Sequence, residues 1–437
     1  MKKQLTYTFG CLVAACSLIL IQAEAQVGKG SSGTFALTNA TVETVTKGSV
    51  KNATLIISDG KITALGTNVS IPAGAETIDC SGLFIYPGMI DSGTKLGLSE
   101  VNSVPLTNDY NELGDVIPQI KALVAVNPNS THIPVTRVSG VTTALAVPSG
   151  GVFPGAAALI NLHGYTPDQM FAGFEGIPMN FPTTGRRSSW DRRSDEDIKK
   201  AADRALGRIN EVWNAAIQYH KIDSATNGKG LTYNPEMQAM LPVIRGKQKL
   251  MIEVNAANDI LAAIKWVQEK KISNVIFTGV SEGWRVAEEI AKSKIPVITG
   301  PVIGMPTREY DRYNRAYTNA AEMHKAGVKL ALRTNDSENV RNLPFNAGFA
   351  AAYGMGKEAA LRAVTIVPAE IFGIADKYGS VEVGKMANLI LCDGDPFEHK
   401  TEIKQVFIDG WKIPMDSRHT QLYDEFLERA PGVKKSK

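Results

Sequence analysis

Ile85-Tyr-Pro-Gly-Met-Ile-Asp-Ser-Gly-Thr-Lys-Leu-Gly-Leu98 carries the decisive fold signal of this 437-residue chain. Its apolar lead, Leu83 to Ile90, lies between Gly82 and Asp91 and is too short to span a membrane. It reads as one buried strand of a parallel sheet, with polar side chains carried out at its far end. In α/β folds that end is where a site is built, so the residues after Ile90 are the first candidates.

Working outward, strand-length apolar runs alternate with helical patterns. Gly140 to Pro148, Ala156 to Leu162, Leu250 to Val254, Asn274 to Thr278, Ile295 to Thr299 and Val328 to Leu332 read as strands, with helices over 256–270 and 282–292. Ser194 to Tyr219 reads as a helix: Ser194 caps it, Asp195 to Asp197 suit its positive first turn, and Ile198, Ala202, Ile209 and Trp213 recur at helical spacing. Such alternation predicts a parallel α/β architecture. The stretches Gly176 to Trp190 and Ser224 to Asn234 read as surface loops, and Arg186, Arg187, Arg192 and Arg193 as a solvated face rather than an anion grip. Before the opening stretch, short β-rich runs from Gly28 to about Phe84 are punctuated by Asp59-Gly60, a strong hairpin signal.

The chain is 44% hydrophobic, enough for a barrel plus a smaller domain. With 47 basic and 44 acidic residues, its net charge of +3 gives no reason to expect a nucleic acid or an anionic membrane as partner. Lys434, Lys435 and Lys437 read as a solvated tail. Met1-Lys2-Lys3, the apolar run Leu5 to Ile21 and Ala23-Glu24-Ala25 have the three parts of a secretory signal, so export to the periplasm or the exterior is expected, with residues 1–25 removed. The rival is a lipoprotein box, Val13-Ala14-Ala15-Cys16, with Cys16 acylated; the apolar run continues past it to a good cleavage site, which favours release. Cys80 and Cys392 then remain. A disulfide between them stays open in an oxidising compartment, and two separately buried thiols are the simpler expectation.

Several of these stretches resemble the amidohydrolase superfamily. Pro87-Gly-Met-Ile-Asp91 is similar to the start of its first barrel strand, Pro-Gly-(Leu/Met)-Ile-Asp-x-His-x-His. Ala53 to Gly66 and Ala75 to Gly82 resemble its N-terminal strands, Leu361 to Gly373 its late helix, and Gly379-Ser-Val-Glu-Val-Gly-Lys-Met-Ala-Asn388 its closing signature. The resemblance implies a (β/α)8 TIM-like barrel over 85–376 and a small composite β-sandwich built from 26–84 and 377–437. It also implies one or two divalent metals held by histidines, a lysine or carboxylate, and an aspartate.

Carried over position by position, that ligand set is missing. Gly93 and Lys95 stand where the family has its first two histidines, Asn161 where related members carry the bridging lysine, Glu253 and Thr278 at the later histidine positions; Asp336 alone matches the aspartate, with Asn335 as a one-residue misalignment. No two of the six histidines, His132, His163, His220, His324, His399 and His419, lie within ten residues of each other. No metal ligand and no cofactor are therefore expected. Lys95 is expected to pair with Glu253 and Asp336 as a replacement catalytic group, one ammonium between two carboxylates leaving the mouth net negative. Asn255, Thr278 and Asn161 are expected to line the substrate site. Ser149-Gly-Gly151 lacks the helix signal of a nucleophile elbow.

Two functions follow. The resemblance, nearest to the imidazolonepropionase-like branch, implies a hydrolase of non-peptide carbon–nitrogen bonds in cyclic amide-like small molecules, here by other than the usual metal route. The alternative is an inactive homologue, serving as a binding module or as the partner subunit of an active paralogue. Self-association or pairing with such a paralogue is expected in either case.

Overall fold

The protein is described here by a computed structural model covering residues 30–185 and 191–429. The expected signal segment, Cys16, Arg186, Arg187 and the terminal lysines lie outside the described residues. Strands β1 (Phe35–Glu43), β2 (Ser49–Ser58), β3 (Lys61–Gly66), β4 (Glu76–Asp79) and β5 (Phe84–Pro87) belong to one sheet. Asp59 and Gly60 join β2 to β3 with φ of 50° and 79°, the two positive values that a tight hairpin turn demands. The opening stretch is not one strand. Its first part is β5, and the chain then turns at Gly88 into a second sheet, so the first sheet extends to Pro87 rather than ending before residue 85. A Cβ on Gly88 would lie 2.2 Å from Thr142 Oγ1, so only glycine fits this crossing.

The second sheet takes its strands in chain order: β6 (Met89–Thr94), β7 (Val141–Ala146), β8 (Ala157–Asn161), β9 (Phe171–Asn180), β10 (Lys249–Val254), β11 (Val275–Gly279), β12 (Val297–Thr299) and β13 (Leu330–Leu332). Past β13 the chain returns to β6 through Asn335 N–H to Gly93 O and Lys95 N–H to Asp336 O, each 2.9 Å, so the barrel is nearly closed. Alternate residues fill the lumen: Ile90, Leu145, Leu159, Phe174, Met251, Ile276, Ile298 and Ala331 are buried in one cluster. The residues between them pack outward on helices such as Ala257–Glu269, whose Ile260 and Ala263 share a core with Leu250 and Ile252.

Two departures from a regular (β/α)8 pattern matter. Strand β8 runs antiparallel to both β7 and β9. The segment Phe171–Asn180, whose second half was expected to be loop, is a strand, because its backbone pairs with β8 on one side and β10 on the other. Arg193, on the expected solvated face, bonds Asp191 through Nε and Nη2 at 2.8 and 2.6 Å. The long helix Asp195–Thr226 does start at Ser194, whose Oγ accepts the Asp197 amide at 3.0 Å. The expected helix over 361–373 is two, Lys357–Ala363 and Ile366–Phe372, and the break frees the Val364 carbonyl to accept Ile90 N–H at 2.7 Å.

The chain's far end completes the first sheet with β14 (Leu389–Cys392), β15 (Ile403–Ile408) and β16 (Trp411–Ile413). Strand β14 lies antiparallel on β5, Leu389 opposite Pro87 and Cys392 opposite Phe84. The β15–β16 turn, Asp409-Gly410, packs on the β2–β3 turn so closely that a Cβ on Gly410 would sit 2.4 Å from Gly60 Cα. Cys80 and Cys392 are both buried and unpaired, and burial pushes their thiols up to about 11 and about 12, which leaves them inert.

Candidate functional site at the barrel mouth

The period of two that fills the lumen also decides what crowns it. Glu253 follows Met251, Thr278 follows Ile276 and Arg333 follows Ala331, so all three side chains rise into the mouth at the C-terminal strand ends. Arg333 grips Glu253 with two parallel bonds, Nη1 to Oε2 at 2.9 Å and Nη2 to Oε1 at 2.8 Å. Thr278 Oγ1 donates to Oε2 at 2.6 Å and Asn255 Nδ2 to Oε1 at 3.3 Å. Burial opposes the charge on Glu253, but Arg333, Thr278 and Asn255 together outweigh it and hold the carboxyl below its usual range. The guanidinium is 6% exposed and the carboxylate 30%, so the pair forms the floor of an open mouth. Room for it comes from Gly93, where a Cβ would stand 3.0 Å from Arg333 Cδ.

Lys95 does not pair with either carboxylate. Its ammonium donates to Ser149 Oγ at 3.0 Å and lies 4.2 Å from the centre of the Tyr110 ring. Asp336 is engaged by its own turn: its carboxylate accepts the Glu338 and Asn339 amides at 2.9 and 3.1 Å, at the start of the turn Asn339–Asn342. Burial raises its pKa, yet these bonds from Asn339 and Glu338 prevail and lower it. The expected net-negative triad is thus replaced by two cations, Arg333 and Lys95, against Glu253. Arg333 itself was missed in the sequence, where Lys95 is the expected counter-charge to Glu253; a carboxylate in a lumen needs a cation, but which cation reaches it depends on packing across strands.

Asn161 does not line the mouth either. Reversal of β8 sends its C-terminal end to the opposite, lower face of the barrel. There Asn161 Nδ2 donates to Asp409 Oδ2 at 2.8 Å and Tyr378 Oη at 3.0 Å, while its Oδ1 accepts from Thr143 Oγ1 at 2.8 Å and Asn388 Nδ2 at 3.1 Å. His163 is at the same end, against Trp411 at 5.2 Å, and burial beside Arg137 lowers its pKa to about 4. Between the two ends, buried Asp91 ties β6 to the segment after β13, accepting Thr334 N–H twice at 3.2 Å, Thr334 Oγ1 at 2.5 Å and Gly93 N–H at 3.0 Å.

A cleft of about 220 Å3 lies over the ends of β11 and β12, lined by Gly279, Ser281, Thr299, Pro301, Thr307 and Asn319. A larger cleft of about 600 Å3, bordered by His324, Lys329 and Arg362, lies by the start of β13, away from the converging side chains. Among the described residues no group of three or more His, Cys, Asp or Glu side chains could hold a metal ion. The mouth's single carboxylate is saturated by a guanidinium that would repel a dication, so this donor set does not fit a divalent metal.

A sequence model of the Amidohydrolase family matches residues 84–412. An imidazolonepropionase from Mesorhizobium japonicum is 23% identical over 401 residues, 83% of this chain and 93% of that protein. Amidohydrolase tasK from Hapsidospora irregularis is 21% identical over 394 residues, and this chain spans 39% of its length. Among solved structures, an amidohydrolase from Thermotoga maritima superposes with a TM-score of 0.75 at 26% identity, covering 88% of this chain and 100% of that one. Molinate hydrolase, at a TM-score of 0.54 and 16% identity, shares the fold.

Proposed function

This chain belongs to the amidohydrolase family, and from that premise we propose that it hydrolyses a non-peptide carbon–nitrogen bond in a cyclic amide-like small molecule, at the barrel mouth and without a divalent metal. The observation that carries this is the Arg333–Glu253 pair. The guanidinium stands where the family resemblance would put a metal, and a fixed positive charge close to a bound carbonyl would stabilise the oxyanion that forms when the carbonyl is attacked. Glu253 positions the guanidinium, and two of its five N–H bonds are spent on that carboxylate. Similarity to the imidazolonepropionases supports the cyclic amide as substrate class.

The test is metal content and turnover on the same preparation. Elemental analysis of purified protein should find zinc, manganese and iron well below one per chain, and opening of hydantoin, lactam or imidazolone rings should persist in chelator. Arg333→Met should lower kcat on the order of 100-fold or more. Stoichiometric metal, with activity lost in chelator, would overturn the proposal.

A second reading is favoured by the saturation of Glu253 and the turn bonds of Asp336, which leave neither carboxylate free as a base. On it the barrel is an inactive module or the partner subunit of an active paralogue. No turnover on that panel, together with co-purification of a homologue that keeps His-x-His, would select it. Export is part of both readings; an intact mass beginning at Gln26 in the secreted fraction tests it.

A further inference from the structure

We propose that Ser149 and Lys95 form a nucleophile–base pair that cleaves the amide, or an ester of similar shape, through an acyl-Ser149 intermediate. This rests on the hydrolase reading above and supplies the base that Glu253 and Asp336 do not.

The pair is assembled by backbone rather than by chance approach of two surface chains. Val147 N–H bonds Thr94 O at 2.9 Å, Ser149 N–H bonds Tyr110 O at 2.7 Å, and Lys95 N–H bonds Asp336 O at 2.9 Å, so both residues are fixed by their neighbours. The 3.0 Å between Nζ and Oγ suits proton transfer in either direction, and both residues are half-buried. Gly150 and Gly151 follow with φ of 96° and 53°. Their carbonyls accept from Asn180 Nδ2 at 3.3 and 2.7 Å, while their own N–H groups donate to no described residue; two successive amides just after the serine are the donors the proposal gives to the oxyanion. A Cβ on Gly150 would lie 2.1 Å from Asn111 Oδ1, so this loop has no room for another residue.

Burial first, and then the Arg333 charge, lower the pKa of Lys95; Glu253 works against them. The Tyr110 ring also faces Nζ, and Asp336 presents only its backbone carbonyl to the lysine backbone. The resting ammonium must first lose a proton to solvent, which the lowered pKa favours; the amine then takes the Oγ proton as Oγ bonds to the carbonyl carbon. Collapse of the adduct breaks the C–N bond, and the Lys95 ammonium returns that proton to the leaving nitrogen. Water then attacks acyl-Ser149 as Lys95 takes its proton, and the Lys95 ammonium returns that proton to Oγ as the C–Oγ bond breaks, which releases the carboxylic acid and restores the serine hydroxyl and the amine. One water is consumed and no other reactant is needed.

The full chain is treated with a serine-reactive fluorophosphonate probe and the adduct mapped by peptide mass. Labelling is expected at Ser149, absent in Ser149→Ala, slowed about 100-fold or more in Lys95→Met and Lys95→Arg, and rising with pH to a midpoint below the 10.5 of an ordinary lysine. Lys95→Arg keeps the charge over Tyr110, so slow labelling in a variant with a wild-type melting curve reports lost basicity rather than lost fold. No adduct, an adduct unaffected by Ser149→Ala, or wild-type rates in the folded lysine variants would overturn the pair. Chelator-resistant ring opening that survives Ser149→Ala overturns the pair and leaves the hydrolase standing. Ser149 labelling without turnover of cyclic amides supports the pair and removes that substrate class.

Discussion

The barrel holds a polar network at each end, and the two are built on opposite terms. At the lower end Asn161, Thr143, Asn388, Tyr378 and Asp409 satisfy one another across the junction of barrel and terminal sheet, and Asp409 N–H adds a bond to Asn388 Oδ1 at 2.7 Å. At the upper end two cations face one carboxylate in a half-open mouth. The first network leaves nothing over for a ligand; the second leaves N–H groups, a hydroxyl and an excess of positive charge. Polar density alone therefore does not mark a site in this molecule. Charge imbalance at the open end does.

The sharpest way to break this contrast is to remove one half of the upper pair. Glu253→Gln leaves the Arg333 guanidinium buried without its counter-charge and should cost roughly 3–5 kcal/mol in chemical denaturation, whereas Glu253→Leu with Arg333→Met should recover most of that loss. The pH dependence follows from the lowered pKa of Glu253: its contribution is present above the usual 4.5 and is lost as pH falls through the folded-state value, and Glu253→Gln should lack this acid limb. Asp91 sits between the networks and tests barrel closure. Asp91→Ala strands the Thr334 and Gly93 donors, so a loss of about 3 kcal/mol is expected, with faster hydrogen exchange at Thr334. Burial raises the Asp91 carboxyl to about 7, only partly offset by Thr334 and Gly93. Its contribution is thus full below 3.8 and falls as pH rises through about 7, the reverse of Glu253.

Smaller effects sharpen the contrast. Asn161→Ala should cost about 2 kcal/mol by orphaning partners at the lower end, while Ser149 labelling and ring opening stay as in wild type. Asp336→Ala should cost about 1 kcal/mol as the loss of bonds like those of a helix cap, and a drop in turnover much beyond that expected from stability would restore Asp336 to the mouth.

Much of the scaffold was legible because its signals are local. Asp59-Gly60 and the strand runs at 250–254 and 274–278 declare themselves within a few residues, and Ser194 with its acidic first turn does the same for the long helix. At the mouth, Glu253 and Thr278, both picked out through the family resemblance, are neighbours: they lie on adjacent strands in matching register and bond at 2.6 Å. Asn161 was misplaced because the direction of β8 was assumed. The link from Ala146 to Ala157 is too short for a crossover helix and carries Pro148, Gly150, Gly151, Pro154 and Gly155, a sign of an antiparallel return that was there to be used. The contacts of Lys95 and Asp336 differ from those expected for another reason. Their partners, Ser149 and the amides after Asp336, are chosen by loop geometry that no periodic pattern encodes.

The seam between β5 and β14 also dictates an order of events during synthesis. Phe84 O and Cys392 Sγ, 308 positions apart, end up 3.9 Å from each other. At ordinary elongation rates the edge of β5 emerges roughly 15–60 s before the strand that covers it. An uncovered edge of this kind is a template for pairing with other chains. Truncation just before residue 389 should therefore yield a barrel-length product that aggregates through β5, even though every residue of the mouth has been made.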